Sequence, residues 1–220
     1  MPRGKLIVID GTNGSGKTEQ AKRLVARLER EGHAVGTLSY PRYETPTGRV
    51  VKSYLEGVYG TATEVPARQA SMLYAIDRWA SFKEGDLAPL ERGAHVVANR
   101  YVASNMGHQG AQILDPEARA EFFRWNDDLE HGLFGIPRPD LNVILHVPSE
   151  VTMTLIDKRG NEKDQHENLE HQRAAEAAYL ELARSFPNFA LVECVVDGRL
   201  LSIDEIHELV WTEVRKTLAV

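Results

Sequence analysis

The chain has 220 residues and a single cysteine, Cys194, set in the apolar stretch Phe189–Val196, so no disulfide can form within it. A lone thiol in such a stretch reads as a buried, inert group. Also missing is any uninterrupted apolar segment of the roughly 18–20 residues that a membrane helix needs. The opening Met1-Pro2-Arg3-Gly4-Lys5 leads into only a short strand-like run, without the long apolar stretch of a secretory leader. There is no excess of positive charge: 26 Lys and Arg face 32 Asp and Glu, for a formal charge of −6. That balance argues against nucleic acid or an acidic membrane as partner. Any anion must therefore be held by a local cluster of cations and amides. No repeat, low-complexity tract or Pro/Gly/Ser linker divides the chain. These absences predict a cytoplasmic protein of one domain, 1–220, and a hydrophobic content of 42% is enough for a core.

What is present is alternation. Leu6-Ile7-Val8-Ile9 is short, β-branched and closed by Asp10-Gly11, as a buried strand would be. A helix follows from about Lys17, with Ala21, Leu24, Val25 and Leu28 on one face and Gly32 at its end. Further strands are predicted at Ala34–Tyr40, Val96–Ala98, Asn142–Val147 and Leu191–Val196. Helices are predicted near 47–57 and 66–84, and over Pro116–Leu129, Glu150–Arg159 and Asn168–Ser185. A last helix opens with the capping box Ser202-Ile203-Asp204-Glu205. Strands alternating with helices imply a five-stranded parallel sheet flanked by helices, a three-layer α/β/α architecture.

Residues 11–18 read Gly11-Thr12-Asn13-Gly14-Ser15-Gly16-Lys17-Thr18. A predicted strand precedes this Gly-x-x-x-x-Gly-Lys-Thr pattern and a helix follows, which is the context of a phosphate-binding P-loop. Its glycines let successive N–H groups curl towards phosphate oxygens. The helix end adds partial positive charge, Lys17 a full charge, and Thr18 a hydroxyl for Mg²⁺. All eight residues are candidate ATP contacts, with Mg²⁺ as the accompanying cofactor. The loop names a donor and leaves the acceptor open.

Four further segments bear on the acceptor: Tyr40-Pro41-Arg42-Tyr43, Leu73-Tyr74-Ala75-Ile76-Asp77-Arg78, Asn99-Arg100-Tyr101-Val102-Ala103-Ser104-Asn105 and Pro137-Arg138-Pro139-Asp140-Leu141. In order and spacing, and together with the loop, they resemble the thymidylate (dTMP) kinases over nearly the whole chain. The resemblance implies transfer of the ATP γ-phosphoryl to dTMP, with ATP and dTMP as ligands and a homodimeric assembly. It implies that Arg42 and Arg100 hold the acceptor phosphate, planar guanidinium forks being suited to a dianion. Tyr74 and Arg78 would receive the thymine, with Ser104 and Asn105 at the base edge and His108 crowding the ribose 2′ position. Asp77 reads as a partner that orients Arg78. The polar segment 159–167 corresponds to a lid, in which Arg159 and Lys163 are the available cations. Lys17, Arg100 and Arg159 are the expected catalytic groups, and Asp197-Gly198 falls where the adenine is expected.

The sequence departs from the family's pattern in several places. Asn99 replaces an acidic residue, Asn13 stands where an Asp or Glu contacts the sugar, and His146 takes a position where Asp is common. Gly14 occupies a loop position that carries an arginine in one branch of the family, so the basic groups are expected from the lid. These changes motivate two alternatives: a catalytically weakened nucleotide-binding or sensor protein of the same fold, or a kinase for another (deoxy)nucleotide.

Overall fold

The structure, a computed structural model, describes residues 2–61, 64–159 and 168–219, the side chains of 158 and 159 excepted. Five strands form one sheet: β1 (Leu6–Asp10), β2 (Val35–Ser39), β3 (His95–Asn99), β4 (Leu141–His146) and β5 (Phe189–Glu193). They run parallel in the order β2-β3-β1-β4-β5. The expected five-stranded parallel sheet is thus observed. The chain leaves β1 for one side of the sheet and later returns to the other, so the β1/β3 boundary is a switch point. Ligands of open α/β sheets bind outside the carboxyl ends of the strands at such a point.

Side chains alternate across β1, and both faces are covered. Leu6 and Val8 join a core with Val96, Ala98, Tyr101, Phe122, Phe123 and Tyr179. Ile7 and Ile9 join the opposite core with Leu24, Leu28, Val143, Val210 and Trp211. Helices α1 (Lys17–Arg30) and α9 (Ile203–Leu218) cover this second face. The capping box of α9 forms as expected, Ser202 and Glu205 each accepting from the other's backbone N–H.

The other helices are α2 (Pro46–Leu55), α3 (Ala67–Glu84), α4 (Ala88–Glu91), α5 (Val102–Gly110), α6 (Pro116–Asp127), α7 (Ser149–Arg159) and α8 (Leu169–Ser185). Helix α5 was not expected from the sequence. All nine of its residues are buried, and small residues permit that. A Cβ at Gly107 would lie 2.6 Å from the Tyr179 ring, and one at Gly110 2.7 Å from Phe123. A π-helical turn, Asp128–Leu133, prolongs α6 beyond the expected end. Strand β5 is shorter than expected at its carboxyl end. Val195–Val196 and Arg199–Leu200 instead form a small hairpin, β6–β7. Asp197 and Gly198, with φ of 50° and 74°, supply its turn.

Candidate active site

The loop after β1 needs its glycines. Gly11, Gly14 and Gly16 all have positive φ, and a Cβ on Gly11 would meet the carbonyl oxygen of Leu145 at 2.6 Å. Gly16 starts α1 with no side-chain cap, leaving the first amides of the helix directed at the loop. Lys17 is buried, and its ammonium donates to the Thr12 carbonyl at 2.6 Å and to Ser15 Oγ at 3.5 Å.

At the end of β3, the Asn99 amide donates to Thr18 Oγ1 and Ser39 Oγ, each at 3.3 Å. Its Oδ1 is buried and accepts no hydrogen bond from any described residue. The Thr18 hydroxyl and the unpaired Asn99 oxygen are hard oxygen donors of the kind Mg²⁺ takes, so the residues around the loop fit the ion it implies. No three His, Cys, Asp or Glu side chains among the described residues gather into a metal site of their own.

Arg100 has a left-handed backbone, φ 66°, and its N–H donates to the Ile9 carbonyl at 3.1 Å, which ties it to the start of the loop. Its guanidinium donates from Nη1 to Ser104 Oγ at 3.2 Å and to His108 Nε2 at 3.0 Å. Nη2 donates to Asn13 Oδ1. The Asp10 carboxylate lies 4.0 Å away. That carboxylate is fully buried, and its Oδ1 accepts from Gly11 N at 2.8 Å, Ser104 Oγ at 2.7 Å and Tyr179 Oη at 2.8 Å. Burial, reinforced by the charge of Asp10, holds the Tyr179 phenol well above its ordinary pKa, so it remains a donor.

Arg100 forms one wall of a cleft with about 500 Å³ of empty space, part of it open to solvent. Among the expected acceptor residues, Asn13, Tyr74 and Arg78 also line it, and α5 contributes Ser104, Asn105 and His108. Tyr40, Pro41, Tyr43, Leu55 and Gln109 complete the walls, and of these Leu55 carried no signal in the sequence. Tyr40 and Pro41 are joined by a cis peptide bond. Asn105 donates to the Ser71 carbonyl at 3.1 Å, while its Oδ1 accepts no hydrogen bond from any described residue.

Arg78 meets a carboxylate that the sequence gave no reason to suspect. Its Nε and Nη2 donate to Glu130 of the π-helical turn at 2.5 and 2.6 Å, and both side chains are buried. Burial works against the guanidinium charge, but Glu130 outweighs it and raises the pKa of Arg78. Asp77 does not orient Arg78, which corrects the sequence reading. Its carboxylate accepts instead from Arg42 N at 2.9 Å, Arg42 Nε at 3.3 Å and Thr47 Oγ1 at 2.8 Å. Neighbours one apart on a helix do not share a face.

The structure does not bring Arg42 to the cavity wall. Its guanidinium is turned to Asp77 and to the carboxylates of Glu84 at 2.6 Å and Asp86 at 3.0 Å. Nor does His146 face the cavity. Its two ring nitrogens meet Glu193 at 2.5 Å and Glu176 at 2.9 Å. The Arg159 side chain and segment 160–167, with the expected lid cation Lys163, lie outside the described residues.

A family model described as thymidylate kinase matches residues 9–209. The chain is 30% identical over 207 residues to the probable thymidylate kinase of Pyrococcus abyssi, covering 94% of this chain and 93% of that one. It is 31% identical over 186 residues to the thymidylate kinase of Mycobacterium tuberculosis, covering 81% and 85% of the two chains. The solved thymidylate kinase of Candida albicans has the same fold, with a TM-score of 0.73 at 24% identity over 98% of this chain and 93% of that one.

Proposed function

This chain belongs to the thymidylate kinase family, and from that premise we propose how its own residues carry out ATP:dTMP phosphotransfer. The reaction is ATP + dTMP giving ADP + dTDP. The observation that carries the reading is the position of Arg100, tied to the loop through Asn13 and Ile9 while lining the cavity. One guanidinium therefore borders both the donor loop and the acceptor cavity.

In this account the loop amides and Lys17 hold the β- and γ-phosphates of ATP, and Arg100 holds the acceptor phosphate. An oxygen of that phosphate attacks the γ-phosphorus in line. A new P–O bond forms as the bond to the β,γ-bridging oxygen breaks, and ADP departs. A monophosphate is already ionised near neutral pH, so no general base is required. Catalysis is positioning and charge stabilisation. Tyr74 faces the base, with Arg78, Ser104 and Asn105 around its edge, and His108 lies against the sugar. Mg²⁺, held by Thr18 and the free oxygen of Asn99, would neutralise phosphate charge. Arg159, with the lid 159–167, would add positive charge on closure.

The reading extends to a homodimer and to the cytoplasm. Met72, Ile76 and Trp79 are large, exposed and spaced along one face of α3, as a helix pairing with its counterpart would present them. The lone thiol of Cys194, pushed up to about 12 by burial and the Glu193 charge, has no need of an oxidising compartment.

The test is coupled ADP release across a panel of nucleoside monophosphates, with ATP and GTP as donors. The highest kcat/KM is expected for dTMP, and equal or faster turnover of dUMP, CMP or a purine nucleotide contradicts the assignment. Metal dependence has its own check. Asn99→Asp places a carboxylate beside Thr18 and is expected to lower the Mg²⁺ concentration giving half-maximal rate. No change would remove Asn99 from the metal site.

A further inference from the structure

His108 faces the cavity on one side and a second histidine on the other. Its ring lies parallel to that of His171, with centroids 5.6 Å apart and planes 4° apart. His108 Nδ1 is 3.3 Å from His171 Nε2, and the Tyr179 ring meets His108 edge-on at 5.7 Å. On the cavity side, Arg100 Nη1 lies 3.0 Å from His108 Nε2.

The direction of these hydrogen bonds is fixed by one chemical fact: a guanidinium donates and cannot accept. His108 Nε2 must therefore carry a lone pair, which places the ring proton on Nδ1. That proton points at His171 Nε2, which must accept it, so the proton of the second ring sits on its own Nδ1. Three side chains from different parts of the chain are thus ordered in one sense, from Arg100 through His108 to His171.

We propose that His171 is a positioning residue of the acceptor site, holding His108 in the tautomer whose Nε2 accepts one arm of the Arg100 guanidinium. The inference rests on the reading of the cavity as the dTMP site. His171 is well placed for the task. It lies in the first turn of α8, where its N–H donates to the cap residue Asn168 at 2.9 Å, so the helix start sets where the ring stands.

The arrangement requires both rings to be neutral. A proton on His108 Nε2 turns an acceptor into a donor aimed at Arg100. A proton on His171 Nε2 sets two N–H groups against each other. Among the described residues, Arg100 after β3 and Tyr179 on α8 meet the His108 ring directly.

The experiment combines imidazole nitrogen NMR with steady-state kinetics on the full chain and two variants. His171→Phe keeps a stacked ring and removes the acceptor, whereas His171→Gln supplies a side-chain oxygen in its place. In the unmodified protein His108 should show a protonated Nδ1 and a bare Nε2, and in His171→Phe a mixture of tautomers. KM for dTMP should rise about fivefold in His171→Phe, as for one lost hydrogen bond. KM for ATP should stay within about twofold, and His171→Gln should recover most of the dTMP affinity. A proton on Nε2 of His108 in the unmodified protein overturns the inference. So does an unchanged KM for dTMP in a folded His171→Phe, or an equal loss in His171→Gln. If another monophosphate proves the preferred acceptor, the dTMP reading falls while the tautomer spectra still decide the inference.

Discussion

Arg42 and Arg100 follow neighbouring parallel strands, and the sequence offers them as equal candidates for an anion. Their surroundings differ in charge. Arg100 donates to an amide, a hydroxyl and an imidazole, with one carboxylate at 4.0 Å. Arg42 faces the carboxylates of Asp77, Glu84 and Asp86 within 3.3 Å. The first guanidinium is shaped by neutral partners and keeps most of its charge for a ligand. The second is neutralised by its own protein and fastens β2 to α3. An arginine is available to a dianion only where the fold has not already satisfied it. Arg78 is a third case, since it reaches the cavity yet has its charge met by Glu130.

The largest expected effect separates buried from exposed neutralisation. Glu130→Gln leaves Arg78 charged and buried without its counter-ion, which is expected to cost about 3–5 kcal/mol of stability. Glu84→Gln removes a half-exposed partner of Arg42 and should cost about 1 kcal/mol or less. Urea unfolding midpoints of the two variants measure the gap, and equal losses would dissolve the distinction.

Next in size is the split between the two arginines themselves. Arg100→Met should lower kcat/KM for dTMP by about a hundredfold, as loss of a charge-stabilising donor does. Arg42→Met should cost stability, because Asp77 is left buried, while changing KM for dTMP by less than about threefold. Steady-state kinetics beside thermal unfolding would show the two losses in different columns.

Asp10 offers a way to turn one arginine into the other. Tyr179, Ser104 and Gly11 now occupy its Oδ1. Tyr179→Phe frees part of that carboxylate to draw on Arg100, so KM for dTMP is expected to rise about fivefold, the scale of one hydrogen bond. An unchanged KM would mean that Asp10 does not compete for the guanidinium.

The smallest effect is a pH dependence away from the cavity. Burial of His146 opposes its charge, but its hydrogen bonds to Glu176 and Glu193 outweigh this and raise its pKa above 6.5. The stability it contributes is therefore full below the unfolded value near 6.5 and is lost as pH rises through the folded value. The unfolding temperature of His146→Gln should lie below that of the unmodified protein at pH 6 and approach it in mildly alkaline solution. A gap independent of pH would assign the ring a packing role.

The parts legible in the sequence are those whose physics is local. The phosphate loop depends on spacing within eight residues, the α9 start on a four-residue capping box, and β1 on an unbroken β-branched run. Helix α5 was illegible because its interior is polar: Ser104, Asn105, His108 and Gln109 are buried and two glycines interrupt it, so no apolar period marks a face. Glu130 gave no signal because its partner Arg78 lies on a separate helix. Asp77 and Arg78 point in different directions because residues one apart on a helix do not share a face. The charge around Arg42 was visible as Glu84 and Asp86, but only folding shows that these carboxylates turn back on β2.

The most direct test of the central claim compares dTMP with thymidine, which lacks the phosphate, by calorimetric titration of the unmodified protein, Arg100→Met and Arg42→Met. dTMP is expected to bind much more tightly than thymidine to the unmodified protein and to Arg42→Met, with the advantage collapsing in Arg100→Met. Collapse in Arg42→Met with the advantage intact in Arg100→Met would contradict it.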